Sequence, residues 1–201
     1  ENSGVLKAYP ALLAGCGGDD KKSSGSSTAK EIKGKYFSIS MPGEAQQETD
    51  EIPGMGELTG NADDKLLMTA YLHETESKNE AYAVVEMEWE FLTNYLKQLD
   101  PDGAMKGQIM SSIIEKTTGS YGESNIADVG GLKGLKLGDA ALTDFDLQTD
   151  LGEDAKADIY AVPTDQALFL VVYGATAEGY SADNAAAYFA SLKGVGTSTD
   201  H

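Results

Sequence analysis

Apolar and polar residues alternate with a period of two through much of the C-terminal half of the chain. The alternation concentrates in four successive stretches: Leu132–Leu137, Ala141–Leu147, Ala157–Val162 and Ala167–Tyr173. In the second, Ala141, Thr143, Phe145 and Leu147 fall on one side and Leu142, Asp144 and Asp146 on the other. That period predicts antiparallel strands of a sheet with one dry and one wetter face. The last stretch is apolar on both sides, which predicts a central strand with cover above and below. Earlier in the chain, Lys35–Met41 alternates with Phe37, Ile39 and Met41 inward, and Pro42-Gly43 ends it. Leu66–His73 and Ala81–Trp89 read as a hairpin across the polar turn Glu74–Glu80, with Ala81, Ala83, Val85, Met87 and Trp89 on one face. Ile126–Val129 reads as a further short strand. Glu44–Asp64, acidic and containing Pro and Gly, reads as a loop with a short strand near Leu58.

The period changes to three and four at Phe91, Leu92, Tyr95, Leu96 and Leu99, which predicts a helix. Asp100-Pro101-Asp102 starts another, since aspartate caps a helix and proline fits its first turn; Met105, Ile109 and Ile113 line its apolar stripe. A final helix is predicted from the cap Ser181, with Ala185, Tyr188, Phe189 and Leu192 on one side and Gly194 stopping it. The expected class is α+β, an antiparallel sheet flanked by helices.

Composition narrows the partners. The net charge is −18, and all 15 bases are lysine. Without arginine there is no planar fork for phosphate or guanine, and the acidic field repels polyanions, so a nucleic-acid partner is not expected. One cysteine excludes an internal disulfide framework. No stretch is long and apolar enough to span a bilayer.

That cysteine ends Leu13-Ala14-Gly15-Cys16, which fits the lipobox of bacterial lipoproteins, where small residues admit the signal peptidase and Cys16 is acylated. The following Gly17–Ser27, rich in Gly, Ser, Asp and Lys, buries too little apolar surface to order itself. As a random coil it would hold a domain roughly 20 Å from the membrane. The organisation expected is a remnant signal and lipobox region at 1–16, a flexible tether at 17–30, a single α+β domain at 31–196 and a tail at 197–201. Lys7 and Pro10 interrupt the apolar run that an intact signal region carries.

The run Tyr36-Phe37-Ser38-Ile39-Ser40-Met41-Pro42, then a polar loop, a hairpin, a helical middle and late strands closing on Tyr188-Phe189-Ala190-Ser191-Leu192-Lys193, resembles the PsbP-like superfamily. The resemblance spans about Lys33 to Gly194. It implies an α/β/α sandwich, a binding or assembly role rather than an enzyme, and no catalytic motif to carry over.

Candidate chemistry is sparse. His73 is one of two histidines, and a Ser-His-Asp hydrolase would have to use it, yet no Gly-x-Ser-x-Gly elbow occurs. As an edge histidine facing solvent it needs no function. Cys16 precedes a tether that positions no base for it. Gly54-Met55-Gly56 and Gly130-Gly131 are turn punctuation without the spacing of a phosphate loop. Glu86, Glu88 and Glu90 share a strand face, as do Asp144 and Asp146 on another strand. If those strands were neighbours, their acids could share a calcium ion, which takes six to eight oxygens; a solvated strand face is the simpler account. Trp89, Tyr71, Tyr82 and Tyr160 fall on strands, as a recognition surface or as cover for the sheet. The function expected is a non-catalytic, extracytoplasmic lipoprotein domain of the bacterial cell envelope. It would bind a protein or small ligand, touch the membrane only through a lipid on Cys16, and hold no cofactor unless calcium.

Overall fold

A computed structural model describes residues 29–52, 65–77, 79–89, 94, 125–137 and 154–196. Ten strands and one helix lie among them: β1 Lys30–Lys33, β2 Phe37–Met41, β3 Gln46–Ile52, β4 Leu66–Glu74, β5 Glu80–Glu88, β6 Asn125–Val129, β7 Leu132–Lys136, β8 Lys156–Pro163, β9 Ala167–Ala175, α1 Ala182–Ala190 and β10 Lys193–Gly194. They build a seven-stranded antiparallel sheet, order β3-β4-β5-β9-β8-β7-β6, and a three-stranded one, order β1-β2-β10.

β9 is the fourth of seven strands and all nine of its residues are buried. A strand apolar on both sides gains most in the middle of a sheet, where each side chain leaves water. Its Phe169, Val171 and Tyr173 face the small sheet and α1, in one cluster with Phe37, Ile39 and Met41 of β2 and with Ala185, Tyr188, Phe189 and Leu192. The Phe37 ring lies 5.2 Å from that of Tyr71 and 5.5 Å from that of Phe169. On the opposite face Leu168, Leu170 and Val172 are buried as well.

The expected α/β/α sandwich is overturned. The described residues are mostly β, about 59% strand with one short helix, in two antiparallel sheets rather than one sheet flanked by helices. Size explains part of this. Seven strands at about 4.8 Å spacing span roughly 29 Å, whereas a nine-residue helix is about 14 Å long. The N-terminal strands fill the remainder, because β2 buries one complete face and β1 pairs with it from Lys30↔Met41 to Lys33↔Ser38. The helices expected at Phe91–Leu99 and from Asp100, the strand at Ala141–Leu147 and the strand near Leu58 lie outside the described residues, apart from Asn94, which is helical.

Two boundaries also change. Gln46–Ile52, expected as loop, is an edge strand paired with β4 along its whole length. Gly194 does not stop the last helix. Ser181 caps its start by accepting the Asn184 N–H, but the helix ends at Ala190 with Ser191 as C-cap, and Lys193-Gly194 pairs with Ser38 and Phe37. The Ser191 hydroxyl accepts the Ser40 N–H (3.0 Å) and donates to the Tyr188 carbonyl (2.6 Å), fastening the helix end to β2.

The β6–β7 turn depends on Gly130, at φ 64°, where a Cβ would sit 1.9 Å from the Leu192 carbonyl oxygen. Both the left-handed backbone and the contact exclude a side chain. Gly130→Ala is expected to cost about 2 kcal/mol, read as a lower urea midpoint, whereas Gly131→Ala at φ 86° meets no neighbour and pays the backbone strain alone.

Candidate functional site

On β5 and β8, four carboxylates (Glu80, Glu86, Glu88 and Asp158) lie on the face of the large sheet that meets the small sheet and α1. Glu86 in β5 is 1% exposed. Its Oε1 accepts the Tyr36 N–H at 2.7 Å and its Oε2 the Lys35 N–H at 3.1 Å. Lys35-Tyr36 is the two-residue tip between β1 and β2, closed by the Gly34 N–H donating to the Phe37 carbonyl. The buried carboxylate supplies an acceptor to both tip amides. Burial pushes the Glu86 carboxyl above the usual carboxylate range; the two backbone N–H groups pull it back. Glu88 receives the Lys35 ammonium, which holds that lysine above its ordinary value.

At the other end of β5, Glu80 Oε1 accepts from the Tyr173 hydroxyl (2.7 Å), the Asn184 side-chain amide (2.8 Å) and the Tyr82 hydroxyl (3.3 Å). The Tyr173 oxygen in turn accepts the Ser181 N–H at 3.0 Å, so this carboxylate ties β5 and β9 to the start of α1. Asp158 in β8 accepts from the Tyr180 hydroxyl and pairs with Lys136 Nζ at 2.7 Å, whose ammonium also lies over the Tyr160 ring. The Tyr188 hydroxyl donates to the Ala83 carbonyl at 2.8 Å.

The residues singled out in the sequence fare differently. Glu86 was expected on a solvated face; it is buried, because that face lies beneath the small sheet. Glu86 and Glu88 are already held by donors of the fold, and Glu90, Asp144, Asp146 and Cys16 lie outside the described residues. Among the described residues no group of three or more His, Cys, Asp or Glu is placed to hold a metal ion. His73 lies one residue past the β3 pairing, with Tyr82 as its strand partner on the other side and its ring half-buried against Tyr82 and Gly43. Its Nδ1 lies 2.9 Å from the Glu44 carbonyl oxygen, which pins the β2–β3 connection, and Glu44 pairs with Lys30. Trp89, Tyr71 and Tyr82 are buried core and Tyr160 packs against it, so they cover the sheet rather than offer a recognition surface.

Sequence reasoning missed Glu80, Asp158, Tyr173 and Tyr180. Glu80 was assigned to a turn, and the only available signal was a polar residue opening a strand whose next same-face residue is Tyr82. Among the described residues no helix is long and apolar enough to cross a membrane. No family model, no curated protein and no solved structure matches the chain.

Proposed function

We propose that the chain is a non-catalytic binding or assembly domain of the bacterial cell envelope, tethered outside the cytoplasmic membrane by a lipid on Cys16. The lipobox Leu13-Ala14-Gly15-Cys16 and the polar tether after it support the anchor. β1 begins at Lys30, where the tether gives way to alternating sequence.

One observation carries the binding-module reading. The inward carboxylates of β5 and β8 are each spent on joining elements: Glu86 and Glu88 on the β1–β2 tip, Glu80 on α1, Asp158 on Tyr180 and Lys136. A general base or nucleophile needs a polar group left available to substrate, and these acids are used as structural acceptors instead. The reading therefore assigns recognition to the outer strands and loops.

Metabolic labelling with an alkyne fatty acid in a bacterial host tests it. Lipid is expected on the native full-length protein and none on Cys16→Ala, with the wild type in the membrane fraction and the variant released. An unlabelled, soluble wild type ends the lipoprotein reading.

A further inference from the structure

Among the described residues, the two outermost strands of the large sheet are finished differently. On the face away from the small sheet, the registers align one row of residues across all seven strands: Glu48, Ala70, Val85, Leu170, Ala161, Leu135 and Ile126. The row is acidic where it reaches β3 and apolar where it reaches β6. On β3, Glu48, Asp50 and Glu51 are exposed, and charges along an edge oppose the addition of another strand. Among the described residues, β6 carries no comparable row of charges. Its sequence is Asn-Ile-Ala-Asp-Val, Ile126 is 78% exposed, and its one acid, Asp128, turns its Oδ1 to the Gly131 N–H at 3.1 Å, inside its own turn.

We propose that β6 is an interface for a second copy of this chain, pairing antiparallel about a two-fold axis at Ile126. The apolar row then continues from one molecule into the next. Directly opposed residues of an antiparallel pair have Cβ atoms about 5 Å apart, close enough for two isoleucines to cover each other. A two-fold pairing also closes on itself and leaves no further edge at that side.

Charge selects the occupant. The chain is strongly acidic, yet β6 and β7 together carry one acid, Asp128, against two bases, Lys133 and Lys136. Asp128 and Lys133 are direct cross-strand partners. A pair formed here places the least acidic edge of each molecule at the contact, whereas pairing through β3 would oppose rows of carboxylates. This inference is independent of acylation.

Sedimentation of the full chain as Cys16→Ser, from micromolar to millimolar protein, tests it. A reversible dimer is expected, tightening as salt screens the net charge. Ile126→Lys is expected to weaken it by about tenfold or more; Gln47→Lys on β3 is expected to leave it unchanged. Ile126 is exposed, so its substitution spares the fold, which circular dichroism checks. Ile126→Cys in the same background is expected to give a disulfide-linked dimer on mild oxidation. A monomer at all concentrations overturns the proposal, as does a dimer that Ile126→Lys leaves intact.

Discussion

Replacing Glu86 with alanine is expected to destabilise the protein by about 2 kcal/mol, because two part-buried backbone amides lose their acceptor at once and each orphaned donor costs about 1 kcal/mol or more. Both bonds are part-buried, so water replaces the lost acceptor only in part. Loss of the buried negative charge recovers part of the cost, since burial penalises that charge. Glu86→Gln keeps one oxygen acceptor and sheds the charge, and is expected to cost about half as much. Urea denaturation gives both values, and amide exchange locates them: the Lys35 and Tyr36 amides should exchange faster in the alanine variant, followed by those of β1. A change below about 0.5 kcal/mol, the size of an ordinary surface substitution, would show that the tip amides find other acceptors.

The same residue marks where sequence patterning stops being informative. Alternation on β5 gives Ala81, Ala83, Val85 and Met87 on one side and Tyr82, Val84, Glu86 and Glu88 on the other. Taken alone, the second set looks like a half-wet face. It is dry at Glu86 because β2, far away in sequence, lies over it with Phe37, and no local period encodes that contact. β9 was legible as the centre because continuous apolarity has one stable placement in a sheet, and the bounds of β2, β4, β5 and β8 came out close for related reasons. β3 was illegible: Gln46 to Glu51 is exposed throughout, so no dry face imprints a period on it. β10 was illegible for a different cause. Two residues at Lys193-Gly194 become a strand only through pairing with Ser38 and Phe37, and the sequence locally says only that a helix has ended. By local period alone β2 reads as one more strand of a single sheet, which leaves the cover over that sheet to helices.

The acid–tyrosine contacts around α1 were hidden in the same way. Tyr173 and Tyr180 are seven residues apart, yet one bonds Glu80 on β5 and the other Asp158 on β8. Sequence gives the tyrosines and the acids; the strand order gives the pairs. Both contacts, with the Ser181 N–H on Tyr173, converge where α1 begins, so the helix is held by its first turn and by Tyr188 in its last.

Those phenols make the fold unusually sensitive to alkali. Burial raises the Tyr71 and Tyr173 hydroxyls to about 12. Tyr180 also reaches about 12, chiefly through its bond to Asp158. Burial moves Tyr82 and Tyr188 up as well. A tyrosine in the unfolded chain ionises near 10, so the native state keeps its protons where the unfolded state has lost them. The stabilisation is therefore complete below about pH 10 and is lost as the pH climbs from about 10 towards 12. Two pKa units correspond to about 2.7 kcal/mol. Tyr71 and Tyr173, whose side chains are packed into the core, contribute most to this loss. Lys35 and Lys136, held protonated by Glu88 and Asp158, lose stabilisation in the same direction. Urea midpoints should stay level up to about pH 9.5 and then fall steeply, while tyrosinate absorbance rises late and cooperatively, together with loss of the near-ultraviolet dichroism. Tyr173→Phe removes the late-ionising phenol along with its bonds to Glu80 and Ser181. It should start less stable at neutral pH and lose less per pH unit above 10. Smooth ionisation of all tyrosines near 10 in a protein that stays folded would mean that water reaches these hydroxyls, and the packing of α1 against Tyr173 would have to be redrawn.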